Sequence, residues 1–95
     1  MFAVVGTWAM DASLREHQAD ALPHLIEGVR QNAGFVRGFW CDDTEDSASS
    51  VTFVVFETLD QARSFRDSVI GNAPGQASVG VGRQDLRIVE IKAEG

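Results

Sequence analysis

The sequence contains four short stretches that are apolar at both odd and even positions, but only two stretches patterned as helices. Residues 2–10 and 51–56 show the double-sided pattern most clearly. A strand with one solvated face alternates apolar with polar residues instead. Two helices can cover only one face of a four-stranded sheet. We therefore expect the other face to meet a second subunit or to enclose a ligand cavity.

Length and charge limit the classes of protein that fit. The 95 residues, 44% of them hydrophobic, are enough for one domain spanning residues 1–95. The 14 acidic residues outnumber the 8 basic ones and give a formal net charge of −6. Nucleic acids and anionic membrane surfaces attract basic patches, so neither is an expected partner.

Cysteine usage and hydropathy suggest a cytoplasmic location. Cys41 is the single cysteine, which excludes an internal disulfide and fits a reducing compartment. The first residues lack the positive charge of a signal peptide. No apolar run approaches the roughly 20 residues of a membrane span. We expect a cytoplasmic protein without a membrane segment.

Capping signals mark the two helices. Ser13 followed by Glu16 predicts a capping box and a helix from there to about Asn32, which Pro23 is expected to kink. Thr58 and Gln61 repeat the pattern. They predict a second helix that ends near residue 71.

The strand pattern predicts the topology. Strands are expected at residues 2–10, 35–42, 51–57 and 83–92, with the middle two paired as an antiparallel hairpin. The glycine-rich residues 71–82 are interpreted as a loop that covers a cavity or crosses to a partner subunit. The order βαββαβ is typical of an α+β, ferredoxin-like fold, a four-stranded antiparallel sheet with two helices on one face. Pairing two such sheets face to face predicts a homodimer.

With these elements in place, the chain resembles the dimeric α+β barrel superfamily, and within it the antibiotic biosynthesis monooxygenase-like (ABM) domains. The resemblance covers nearly the whole chain. It is carried by the first strand, by the helix end leading into the second strand, and by the third strand leading into the second helix, which are residues 2–8, 32–40 and 53–62.

The resemblance implies a homodimer whose interior cavity binds a small organic molecule. Some such proteins oxidise phenols or quinols with oxygen and no cofactor, and others cleave haem. Active relatives often carry Trp where the third strand meets the second helix, and haem-cleaving ones carry His on that helix. This chain has Thr58 and Leu59 at that junction and no His in residues 59–71, which argues against haem cleavage.

Aromatic residues on the strands are the candidate cavity walls, since flat side chains can stack on a flat aromatic ligand. The same residues could instead serve core or interface packing. The candidates are Trp8, Phe39, Trp40, Phe53 and Phe56.

Two histidines on the first helix are candidates for a general base. His17 and His24 are seven residues apart, about 10 Å along the axis, so they cannot chelate one metal together. His24 is nearer the apolar stripe and is the candidate catalytic residue, acting by deprotonating a phenol. Its alternative role is that of an exposed surface histidine.

The sequence points to no cofactor and no metal. The acidic residues 42–46 lack the spacing of an EF-hand, and the glycine-rich run lacks a phosphate-binding motif. Two functions follow. One is a cofactor-free, monooxygenase-like oxidoreductase acting on a small aromatic molecule. The other is a non-catalytic dimeric binding or regulatory module with the same fold.

Overall fold

Four antiparallel strands form the sheet and follow the apolar stretches of the sequence closely. The computed structural model describes all 95 residues. Its strands run in the order β2-β3-β1-β4 across the sheet, every neighbouring pair antiparallel. They are β1 (Phe2–Met10), β2 (Phe35–Asp42), β3 (Ser49–Phe56) and β4 (Val81–Glu90). The predicted ferredoxin-like α+β fold is confirmed.

Three helices accompany the sheet. A 3-10 turn (Ala12–Leu14) leads into α1 (Arg15–Arg30), which runs through Pro23 as one helix, and Gly34 follows it with a positive φ of 79°. Helix α2 (Leu59–Gly71) begins with the predicted capping box. The third helix is α3 (Ala73–Ser78). None of these helices combines the length and the apolar character needed to cross a membrane.

The predicted capping box at Ser13 is wrong, because Ser13 forms its hydrogen bonds with the carboxylate of Asp11, two residues earlier. Asp11 accepts hydrogen bonds from the Ser13 backbone N–H at 2.9 Å and from its hydroxyl at 2.7 Å. These bonds lower the pKa of Asp11. The Ser13 hydroxyl is thereby used as a donor, and α1 begins at Arg15, one residue later than predicted, without a side-chain cap.

The interpretation of residues 71–82 as a loop throughout is also wrong. Pro74 lies in the first turn of α3, where its missing N–H costs no helical hydrogen bond and its fixed φ suits a helix. Gly80 then turns the chain with a φ of 75°, and β4 begins directly after it.

The core lies between the sheet and α2. Phe56 and Ala62 are fully buried, and Val4 and Val54 are each 2% exposed. The rings of Phe56 and Phe65 pack with their centroids 5.0 Å apart. Helix α2 therefore packs directly on one face of the sheet and forms the core with it.

The sheet has a second face without helices. Val5, Val51, Phe53 and Phe39 belong to the register rows of this face, and Phe39 is 53% exposed. Because β-strand residues alternate between faces, the helix side of β1 carries the even-numbered residues and the open side the odd-numbered ones.

The C-terminal tail crosses one end of the open face. The Ile91 N–H donates to the Met1 carbonyl at 2.9 Å, and Glu94 reaches Arg37 on the far edge strand at 3.2 Å. Ala3 and Val55 lie in the register row between these anchors and are 0% and 4% exposed. The tail thus covers this row and leaves the rest of the open face bare.

Candidate functional site

A cavity of about 840 Å³ lies between the helix-facing side of the sheet and α1. The sheet provides its floor, α1 its roof, and α2 and α3 its walls. Of its 30 lining residues, 16 are hydrophobic, which suits a largely apolar organic molecule. A smaller hollow of about 250 Å³ between the end of α1 and the start of α2 has one hydrophobic residue among five, so it suits such a ligand less well.

The cavity exists because α1 is held at its two ends and stands away from the sheet between them. Val29, near the C-terminal end, is its one buried residue. Near the other end, the Gln18 side-chain amide donates to the carbonyl oxygens of Asp11 at 2.9 Å and Val79 at 3.0 Å. Between these anchors, Leu22 and Leu25 line the cavity and are 37% and 49% exposed.

The floor contains both tryptophans of the chain. Trp8 is 7% exposed, and its indole N–H donates to the Thr52 hydroxyl oxygen at 3.0 Å. A Cβ atom added to Gly6 would lie 2.7 Å from the Trp8 indole nitrogen, so the ring extends over this glycine. The bare glycine makes room for the Trp8–Thr52 hydrogen bond.

Trp40 repeats this arrangement on β2. A Cβ atom added to Gly38 would lie 2.7 Å from the outer edge of the Trp40 ring. In both strands, a glycine two residues before a tryptophan lies on the same face and leaves room for the indole to fold against the sheet. The repeated Gly-x-Trp pattern was visible in the sequence and marks the floor.

The five predicted wall residues do not share one face. Trp8 and Trp40 line the cavity. Phe56 belongs to the helix-side core beside it. Phe39 and Phe53 face each other in the register of β2 and β3 on the open side of the sheet.

The two histidines also differ in position. His24 lines the cavity from α1, with an exposed side chain. It forms no hydrogen bond with another side chain, so nothing in the protein orients its ring. His17 is exposed and does not line the cavity.

Several cavity residues were missed by sequence reasoning. Gln18 and Gln76 have side-chain amides that tie α1 and α3 into the fold, the latter by donating to the Val69 carbonyl at 2.9 Å. Thr52 lies on the floor between the strands that carry the tryptophans. An isolated glutamine or threonine carries no sequence signal of such a role, because the role depends on long-range contacts.

The charged groups give no sign of a metal centre. No cluster of three or more His, Cys, Asp or Glu is arranged to hold a metal ion. None of the four ion pairs includes a cavity residue. Arg15, Asp42 and Asp43 contribute the charges of the lining.

Comparison with known proteins yields matches in structure only. No protein-family model matches the chain, and the curated proteins provide no match. A mutant of SnoaB, described as a cofactor-independent oxygenase from Streptomyces nogalater, is 14% identical with a TM-score of 0.73, covering 98% of this chain and 94% of that one. A structure described as an antibiotic biosynthesis monooxygenase is 16% identical with a TM-score of 0.65, covering 100% of both chains.

A third similar structure is a mutant of MhuD with two manganese protoporphyrin IX molecules bound per active site. It is 10% identical with a TM-score of 0.77, covering 100% of this chain and 98% of that one. Sequence identities this low establish the fold and nothing further. The chain has the fold of the antibiotic biosynthesis monooxygenase-like domains, as the resemblance implied.

Proposed function

We propose that this protein binds a small, flat aromatic molecule in the cavity between α1 and the sheet. The observation that carries the proposal is the floor of two indoles, Trp8 and Trp40, in a cavity of about 840 Å³. Indole faces stack on flat ring systems, and the cavity is large enough for a ligand of several fused rings. Closure around such a ligand would bury the half-exposed leucines of α1.

Within this proposal, the protein acts as a cofactor-free monooxygenase on an electron-rich phenol, quinol or anthrone. The substrate supplies the electrons. A base removes a proton, the resulting anion reacts with oxygen, one oxygen atom becomes a carbonyl of the product, and the other leaves as water with two substrate hydrogens. His24 is the proposed base because its imidazole lines the same cavity as the two indoles.

Oxygen uptake tests the oxidation step. Anthrone incubated with the protein should consume oxygen above the rate of a heat-denatured control. His24→Ala should lower that rate by about 10²-fold or more, the usual contribution of a general base. His17→Ala is the matched control, since His17 lies on the same helix outside the cavity. Equal rates for native and denatured protein would contradict the enzymatic proposal.

The second candidate is a non-catalytic binding or regulatory module. It is favoured by the exposed side chain of His24 and the absence of a side-chain partner to orient it. Saturable binding of anthrone without oxygen uptake would establish this alternative over the enzyme.

We further propose that the protein is a homodimer in the cytoplasm. The support is the open face, where Phe39 is 53% exposed beside Phe53, Val51 and Val5. A second copy would cover this apolar surface, while the lone Cys41 fits a reducing compartment. Sedimentation should show twice the chain mass of 10.3 kDa, and Phe39→Asp should give monomers. A wild-type monomer at micromolar concentration would contradict the dimer.

A further inference from the structure

The cavity floor has one hydroxyl donor that the protein itself does not use. The Trp8 indole N–H is bonded to the Thr52 oxygen, and the Ser50 hydroxyl donates to the Cys41 carbonyl at 2.7 Å. The Thr52 hydroxyl accepts from Trp8 but donates to no acceptor in the protein. Its proton is therefore available to a bound molecule.

The position of Thr52 presents this proton to the cavity. Thr52 lines the cavity and lies in a register row between Gly6 and Trp40 on the neighbouring strands. Gly6 has no side chain of its own, and the Trp8 indole lies in the space above it, beside the Thr52 hydroxyl. The hydrogen bond from Trp8 occupies one lone pair of the hydroxyl oxygen, so the hydroxyl proton points away from the indole N–H.

We propose that Thr52 is the specificity-determining residue of the cavity and selects aromatic ligands that carry a carbonyl or phenolate oxygen. This inference rests on the proposed aromatic-binding function. An oxygen acceptor placed over Thr52 gives its hydroxyl proton a hydrogen-bond partner. A pure hydrocarbon of the same shape covers this half-buried hydroxyl and leaves its proton without a partner, which is unfavourable. Trp40, the register neighbour of Thr52, also has an indole N–H that donates to no protein acceptor.

Fluorenone and fluorene make a matched pair of probes, because they share one shape and differ by a carbonyl in place of a methylene group. Equilibrium dialysis measures the dissociation constant of each. Thr52→Val keeps the β-branched shape and removes the hydroxyl. It should lower the ratio of fluorenone affinity to fluorene affinity about tenfold, the order of one hydrogen bond, because fluorenone loses its donor and fluorene no longer leaves a hydroxyl proton unpaired. Thr52→Ser keeps the hydroxyl and should retain the preference for fluorenone.

An equal loss of both probes in Thr52→Val, or no change in either, would overturn the role of Thr52 while leaving the aromatic cavity in place. Failure of the wild-type protein to bind either probe would overturn the proposed function itself.

Thr52→Val also removes the acceptor of the Trp8 N–H, so its folding must be checked by circular dichroism. If it does not fold, the deciding measurement is the infrared carbonyl stretch of fluorenone bound to Trp40→Phe, which keeps the Thr52 hydroxyl and lacks the neighbouring indole N–H. A shift below the value in a hydrocarbon solvent supports the inference, and an unshifted band overturns it.

Discussion

The two long helices carry similar apolar stripes but pack against the sheet differently. Helix α2 buries Ala62 and Phe65 in the core, whereas α1 buries only Val29 and leaves Leu22 and Leu25 over the cavity. An apolar stripe therefore does not by itself mean a packed helix. In this molecule α2 packs into the core, while α1 forms the roof of a space large enough for a ligand.

The largest expected difference in the free energy of unfolding is between shortening a core side chain of α2 and shortening a roof side chain of α1. Phe65→Ala should lower the free energy of unfolding by about 3–5 kcal/mol, because it removes a buried ring beside Phe56. Leu25→Ala, on the half-exposed roof, should cost about 1 kcal/mol or less. Urea unfolding of both variants at one protein concentration measures this difference. Equal losses would show that α1 packs on the sheet as tightly as α2.

Alanine substitutions at two glycines, Gly6 in the floor and Gly28 in the roof, compare the packing on the two sides of the cavity. Gly6→Ala should cost about 1–3 kcal/mol, because the new methyl group meets the Trp8 ring and the Thr52 hydroxyl. Gly28→Ala should stabilise the protein by about 0.5–1 kcal/mol, because nothing lies within 4 Å of the new atom and alanine favours the helix. Thermal unfolding measures both. Destabilisation by Gly28→Ala would contradict the open space under α1.

The anchor at the start of α1 should control how often the roof opens. Gln18→Leu removes two hydrogen bonds and should cost about 1–2 kcal/mol. Amide hydrogen exchange should accelerate in the first turns of α1 and stay unchanged in α2. Gln31→Ala is the control, since its side-chain bond to Glu27 is exposed and local. Unchanged exchange in α1 would show that Gln18 does not hold the roof.

The smallest effect is the pH dependence of the turn before α1. Hydrogen bonds from the Ser13 hydroxyl and N–H lower the pKa of Asp11 below its ordinary value of 3.8. The unfolded state then binds the proton at a higher pH, so this stabilisation is present above pH 3.8 and lost as the pH falls through the lowered pKa. Asp11→Asn should remove this part of the acid dependence of the urea midpoint. An identical acid profile in the variant would contradict it.

The sequence was sufficient to predict the strands and the start of α2, because these depend on local patterns. The strands at residues 2–10 and 35–42 and the Thr58–Gln61 capping box occur in the structure as predicted, and β3 and β4 each begin two residues earlier than predicted. The start of α1 was missed because Asp11 competes for Ser13. The helix at residues 73–78 was missed because its six residues include a glycine and a proline, which are typical of loops.

The candidate site could be predicted only in part, since both parities of the strands are apolar and the helix-facing side was undetermined. Adjacent strand residues point to opposite faces, so Phe39 and Trp40 could not both line one cavity. The Gly-x-Trp repeat predicts that each indole folds over the glycine on its own face, but it does not say which face the helices cover. The distance of α1 from the sheet depends on the long-range contacts of Gln18 and Val29, which a local sequence pattern does not predict.

The most direct test of the central claim follows the indole N–H signals of Trp8 and Trp40 by nuclear magnetic resonance during titration with fluorenone. Both signals should shift in a saturable way, together with the amides of α1 between Gln18 and Val29. The amides of Phe39 and Phe53 should move less. Shifts confined to the open face around Phe39 and Phe53, with both indole signals unmoved, would contradict a ligand cavity beneath α1.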